Sequence, residues 1–373
     1  EAFEKFASKY RLDPETGKKN YAIVQAEDEL AAMGMVIGAN WNGARSLTAT
    51  SGPGVSLMSE FIGLAYFAEV PAVLIDVERA GPSTGMPTRT QQSDITIAAY
   101  ASHGDSKHPL LFPSTPKECF DMTAISFDLA DRLQTPIILM TDLDLGMNDH
   151  MSEPFTWDAE KKYDRGKVLN REELEAMGRY GRYLDNEGDG IPYRTYPGTH
   201  PSKGAFTTRG TSRDEYAVYT ENSEAYVRNM KRLQTKWETA KKIMPEPHLY
   251  QEENRQEIGM LFFGTSTYSS EEAKDLLEEK GIHLDAIRIK AFPFGEATEA
   301  FIQSHKLVFV IEQNRDGQLR SLIINEMQTN PAKLAPVLNY DGMPITADDI
   351  ASQITNYLKQ KTAVAHDLSE TFI

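Results

Sequence analysis

Residues 22–54, AIVQAEDELAAMGMVIGANWNGARSLTATSGPG, place the carboxylates of Glu27, Asp28 and Glu29 at the head of a run, 30–39, that carries no polar side chain. Acids in a first helical turn are common, because the free N–H groups and the macrodipole there favour negative charge. A helix that is apolar all round is a buried one, however, so the run predicts that residues 28–40 cross a core. A carboxylate at the mouth of such a helix is partly desolvated, which raises its pKa and suits it to hold or share a proton. The stretch then becomes a strand pattern, RSLTAT (45–50), and breaks at the Gly-Pro-Gly turn of TSGPG (50–54).

Outward from this stretch, short apolar runs alternate with longer helical ones. Strand patterns fall at AIVQ (22–25), RSLTAT, PAVLIDVE (71–78), PLLFP (109–113) and TPIILMTD (135–142), with helices expected over 28–40, 54–68, 93–101 and 116–133. The alternation predicts an α/β fold with a doubly wound, mostly parallel sheet over residues 1–150. Residues 151–256, rich in Tyr, Gly, Pro and charge, read as a polar insertion or linker that carries one clear helix, SEAYVRNMKRLQTKWETAKKIM (223–244). From GMLFFG (259–264) onward the α/β alternation resumes, so residues 257–373 are expected to form a second, smaller α/β domain. In parallel sheets ligands gather at the carboxyl ends of the strands. That directs attention to TSGPG and to ERAGPSTGMPTRTQQSD (78–94), whose arginines, Arg79 and Arg89, have the planar fork that suits a carboxylate.

Composition narrows the function classes. The 373 residues include 40% hydrophobic and 25% charged ones, enough for two domains or three. A net charge of −16 argues against nucleic acid or an anionic membrane as partner. No apolar run is long enough to span a bilayer, and EAFEKFASKYRLDPETGKKN (1–20) is not a signal peptide. One cysteine, Cys119, excludes disulfides within the chain and any cysteine-ligated iron–sulfur cluster held by this chain alone. The expected compartment is reducing and cytoplasmic. Neither glycine-rich loop has the Gly-Lys-Ser/Thr of a phosphate loop or the dinucleotide fingerprint. LDNEGDGIPY (184–193) suggests a calcium loop but has Tyr196 where the closing Glu belongs; it also lacks the apolar strand that would present a diphosphate–Mg²⁺ motif, and reads as a polar turn.

Taken together, Glu29, the apolar helix behind it, RSLTAT and TSGPG resemble the pyrimidine-binding domain of thiamine diphosphate enzymes. VQAEDELAAMGMVIGA, LTATSGPGVSLMSEFIGLA, RAGPSTGMPTRTQQSD, GDGIPYRTYPGTHP and VIEQNRDGQL further resemble alpha subunits of 2-oxoacid:ferredoxin oxidoreductases, the 2-oxoglutarate type above all. The resemblance implies a transketolase C-terminal-like fold for the second domain and a catalytic, cofactor-binding role for Glu29. There the acid sits against N1′ of the aminopyrimidine and promotes the imino tautomer that removes the thiazolium C2 proton. Glu27 and Asp28 are then helix-terminus charges. Thr50, Ser51 and Gly52 would line the cofactor pocket, Arg79 would hold the substrate carboxylate, and Arg89 would be a second cation in the same loop.

The implied activity is CoA-dependent oxidative decarboxylation of a 2-oxoacid to an acyl-CoA and CO₂, with electrons passing to ferredoxin. Mg²⁺ and a [4Fe–4S] cluster would reside in a beta subunit, thiamine diphosphate would be shared with it, and an alpha2beta2 assembly with a gamma domain or subunit is expected. The family's N-terminal strand and Tyr-Pro-Ile-Thr-Pro substrate loop are missing ahead of Glu1, which points to a removed or separate upstream portion. Two rivals stand: a component of another thiamine diphosphate-dependent dehydrogenase or lyase, and a non-catalytic scaffold paralogue.

Overall fold

Asp28, not Glu29, caps the helix that opens the fold: its carboxylate accepts the Ala31 N–H at 2.7 Å. The computed structural model describes residues 2–158, 160–208, 210–250 and 256–370, with side chains through Lys361. Glu1, residues 371–373 and the parts of the insertion at 159, 209 and 251–255 lie outside the described residues. The first half runs α1 (Ala2–Tyr10), α2 (Glu29–Trp41), β1 (Leu47–Thr50), α3 (Gly52–Ala68), β2 (Ala72–Glu78), α4 (Ile95–Ala99), β3 (Leu110–Leu111), α5 (Pro116–Leu133), β4 (Pro136–Asp142) and α6 (Leu143–Met147). β1, β2, β4 and β3 lie side by side in that order, all parallel. Thr115 caps α5 through the Glu118 N–H, and Pro116 fills a first-turn position whose N–H has no helical partner.

Two expectations are corrected here. AIVQ forms no strand: residues 22–25 are irregular and exposed, because β1 lies at the sheet edge and no described strand pairs with them. Nor is α2 buried all round, since Met33, Val36 and Ile37 pack into the core while Leu30 and Met35 stand 38% and 49% exposed. Apolar residues at helical spacing thus face both inward and outward.

The insertion is tied down by buried charge. Helices α7 (Arg171–Ala176) and α8 (Ser223–Lys241) flank irregular chain, and α8 drives Arg232 and Lys236 against Glu69 at the carboxyl end of α3. Glu69 is fully buried, with ion pairs of 2.5 Å to Arg232 and 2.8 Å to Lys236. Tyr183 and Arg182 donate to the last carbonyls of α3, at Ala68 (3.1 Å) and Glu69 (2.8 Å). Burial alone would raise the Glu69 carboxyl, but Arg232 and Lys236 outweigh it and hold the group well below the usual carboxylate range. Its contribution to stability is therefore complete above the ordinary value of 4.5 and is lost as pH falls below it. Glu69→Gln leaves two buried cations without their counter-charge and is expected to cost about 3–5 kcal/mol in urea unfolding. A loss under about 1 kcal/mol, the scale of an exposed pair, would show that the network anchors nothing.

The second half comprises β5 (His248–Tyr250), β6 (Ile258–Phe263), α9 (Ser266–Glu278), β7 (Asp285–Ile289), β8 (Ala291–Phe292), α10 (Glu296–Ser304), β9 (Leu307–Glu312), α11 (Gln318–Met327), β10 (Leu334–Leu338) and α12 (Ala347–Glu370). Its sheet has the order β10-β9-β6-β7-β5 and is parallel except for β5, which comes from residues 248–250. LDAIRIKAF splits in two: β7 stays in this sheet, and β8 crosses to pair antiparallel with β3 of the first. One apolar cluster, from Met33 and Ile62 through Phe112 and Phe263 to Val310 and Leu322, runs through both halves. The halves are consequently packed as one body, with the loops after β2 and β9 facing each other.

Candidate functional site

At the carboxyl end of β1 the chain turns through Ser51 into α3 with Pro53 in the first turn. A Cβ on Gly54 would stand 1.8 Å from Thr50 Oγ1 and 2.8 Å from Glu29 Cγ, so only glycine lets these residues meet. Glu29 is half-buried at this junction, whereas Glu27 is exposed and Asp28 is committed to capping α2. The three acids of the opening stretch are thereby told apart. The backbone of the turn, with a carboxylate and a hydroxyl packed against it, carries the hydrogen-bonding groups that the polar edge of an aminopyrimidine would need. Among the described residues no group of three or more His, Cys, Asp or Glu is arranged to hold a metal ion.

Arg79 follows β2 and lines a cleft of about 460 Å³ between the two halves. Gly52, Ser83 and Asp94 lie on the same side, and Asn314, Arg315 and Gln318 face them from the second half. Arg79 is half-buried, and its Nε is buried without a hydrogen-bond partner among the described residues. Arg89 is elsewhere: it is exposed, its Nη1 lies 3.2 Å from Met343 Sδ, and it does not line the cleft. Glu29, Thr50 and Ser51 also lie outside the cleft lining, and Gly52 and Pro53 are the residues common to turn and cleft.

In and beneath the cleft lie four acids that sequence reasoning missed. Asp76 and Glu78 on β2 and Asp142 at the end of β4 are buried, and Asp94 lines the cleft above them. Glu78 and Asp142 are register partners on adjacent strands. Burial, reinforced by the Asp94 charge, raises Asp76 and Glu78 well above the usual carboxylate range. Burial likewise pushes Asp94 up to about 6, against the Gly52 N–H and the Arg79 charge. Asp142 also rises to about 6 by burial, opposed by the Thr265 hydroxyl. The signal was available in PAVLIDVE and TPIILMTD, where acids interrupt otherwise apolar central strands. In LDNEGDGIPY, Asp185 accepts the N–H groups of Glu187, Gly188 and Gly190, and Asp189 pairs with Lys167 at 2.8 Å, the arrangement of a polar turn.

Residues 2–238 match the family described as pyruvate flavodoxin/ferredoxin oxidoreductase, thiamine diphosphate-binding. The chain is 31% identical over 353 residues to the alpha subunit of 2-oxoacid:ferredoxin oxidoreductase 2 from Aeropyrum pernix, a match covering 92% of this chain and 53% of that one. It is 35% identical over 301 residues to the 2-oxoglutarate synthase subunit KorA of Methanothermobacter thermautotrophicus, covering 78% and 75%. Among solved structures, the 2-oxoglutarate:ferredoxin oxidoreductase of Magnetococcus marinus, with 2-oxoglutarate, coenzyme A and succinyl-CoA bound, superposes with a TM-score of 0.81 at 29% identity. That superposition covers 90% of this chain and 57% of the other. The chain therefore spans little more than half the length of the Aeropyrum and Magnetococcus chains it matches.

Proposed function

Because the chain belongs to the pyruvate flavodoxin/ferredoxin oxidoreductase family of thiamine diphosphate-binding domains, we propose that it is the alpha component of a CoA-dependent 2-oxoacid:ferredoxin oxidoreductase with 2-oxoglutarate as the favoured substrate. The observation that carries this reading is the junction of Glu29, Thr50 and Gly54, which shares the α3 turn with a cleft containing Arg79. Thiamine diphosphate, when bound, supplies the carbon nucleophile and the electron sink for loss of CO₂. Glu29 holds and passes a proton at N1′ of the pyrimidine. Thr50, Ser51 and Gly52 shape the wall of its pocket and keep water from the acid. Arg79 receives the 2-oxoacid carboxylate, and its unpartnered Nε is available to that anion. Arg89 is assigned the distal carboxylate of 2-oxoglutarate, a role that requires its loop to turn inward from Met343.

A beta subunit completes the enzyme in this reading by supplying the Mg²⁺ and [4Fe–4S] ligands. The assembly in this reading is alpha2beta2 with a gamma portion, working in the cytoplasm. The test is reconstitution with the beta subunit and an assay of CoA-dependent ferredoxin reduction by 2-oxoglutarate. Reduction of NAD or lipoamide instead would make this a component of a different thiamine diphosphate dehydrogenase, and no turnover in an intact complex would make it a scaffold.

The isolated chain is expected to bind thiamine diphosphate and Mg²⁺ weakly in calorimetry, at millimolar to high micromolar Kd, on the order of 4–6 kcal/mol. Mg²⁺ needs near-octahedral oxygen ligands around the diphosphate, which this reading assigns to the partner. Stoichiometric binding below about 10 μM, near 7 kcal/mol, would mean that the chain holds a complete cofactor site.

A further inference from the structure

The segment that follows the Arg79 loop is gripped from the second half through its backbone and through the Gln92 side chain, whose Oε1 accepts the Gln313 N–H at 3.2 Å and whose Nε2 donates to the Phe263 carbonyl at 3.3 Å. Gln92 N–H donates to the Gln313 carbonyl at 2.8 Å, and the Gln92 carbonyl accepts Asn314 Nδ2 at 2.8 Å. The Ser93 carbonyl accepts Gln318 Nε2 at 2.6 Å, and Thr96 N–H donates to Gln318 Oε1 at 3.0 Å. Gln92, Gln313 and Asn314 are each at most 2% exposed. Buried amides that satisfy one another in this way rigidify what they hold, because breaking any one bond strands a polar group away from water.

What they hold is Asp94. Its N–H donates to Glu78 Oε1 at 2.9 Å, and its carboxylate lies against Gly52 at the first turn of α3. The fit is close enough that a Cβ on Gly52 would lie 2.6 Å from Asp94 Oδ1. Asp94 therefore lies against the turn assigned to the cofactor, lines the same cleft as the arginine assigned to the substrate, and is bonded to Glu78, the residue that precedes that arginine.

We propose that Asn314 and Gln318 are positioning residues through which the second domain sets the substrate site: by clamping residues 92–96 they fix Asp94 against Gly52, and with it the placement of Arg79. The side chains act on backbone atoms, so the clamp is indifferent to the identity of Ser93 and Thr96. Loosening the arginine that receives the carboxylate weakens substrate and transition state alike, so the effect is read in KM more than in kcat. This inference rests on the substrate role given to Arg79 above.

The experiment uses the complex with its beta subunit and the variants Gln318→Ala and Gln318→Glu, the second keeping the acceptor for Thr96 while losing the donor to Ser93. Without substrate, amide hydrogen exchange at Gln92, Asp94 and Thr96 is expected to quicken at least tenfold in Gln318→Ala and less in Gln318→Glu. With substrate, KM for 2-oxoglutarate should rise about tenfold while kcat stays within threefold. Unchanged exchange at Gln92 and Asp94 overturns the clamp, whatever the kinetics, and faster exchange with an unchanged KM overturns its link to substrate. Should Gln318→Ala fail to fold, Gln318→Glu alone must show both effects or the proposal falls. A wild-type complex that turns over no 2-oxoacid refutes the functional reading instead, and the exchange arm still decides the clamp.

Discussion

Glu29→Gln is expected to lower turnover of the assembled enzyme by at least about 10²–10⁴, the range for loss of a general acid–base group, with assembly unchanged. The substitution is nearly isosteric, so the Gly54 approach and the α2 N-terminus survive. The cap on α2 belongs to Asp28, and helix stability is therefore not the quantity being changed. What is removed is the ability to pass a proton at N1′. Glu27→Gln serves as the control, because Glu27 is exposed. Turnover of the Glu29→Gln variant within threefold of wild type, in a complex of normal size, would remove Glu29 from the chemistry.

Arg79→Ala is expected to lower kcat/KM for 2-oxoacids by roughly 30- to 5,000-fold, corresponding to about 2–5 kcal/mol for truncating one partner of a desolvated charge pair. Part of this loss should appear in kcat, because a substrate held only at its far end presents its carbonyl badly. Arg79→Lys keeps the charge without the fork and should act mainly on KM. Arg89 offers the comparison: with its guanidinium against Met343, it should matter little for pyruvate and more for 2-oxoglutarate. Equal effects of Arg89→Ala on the two substrates would take the distal carboxylate away from it.

Much of this molecule was legible in its sequence, for local physical reasons. Apolar runs bounded by turns at PAVLIDVE and TPIILMTD can only be central parallel strands, and both are. Thr115 followed by proline starts a helix wherever it stands, and TSGPG had to be a close-approach turn because glycine alone permits one. The order of Glu29, TSGPG and the Arg79 loop pointed to a family, and residues 2–238 match it. AIVQ failed as a strand because a strand is decided by its neighbours: alternation and β-branched residues describe a candidate edge but cannot supply the chain that pairs with it. The apolar face that α2 leaves exposed likewise could not be read from periodicity, which counts apolar residues without saying what each one meets.

Only the tertiary structure gathered Asp76, Glu78, Asp94 and Asp142 at one cleft, since they sit on two strands and a loop that are distant in the chain and are joined through sheet register and the Asp94–Glu78 bond. It also gave the physical ground for parting Asp28 from Glu29, which the family resemblance had parted by motif alone: one carboxylate meets the helix's own N–H groups and the other the turn at Gly54. And only it joined Gln318 to Ser93 across 225 positions of chain. A sequence specifies which groups want partners; which partner each one finds depends on packing that closes after the elements have formed.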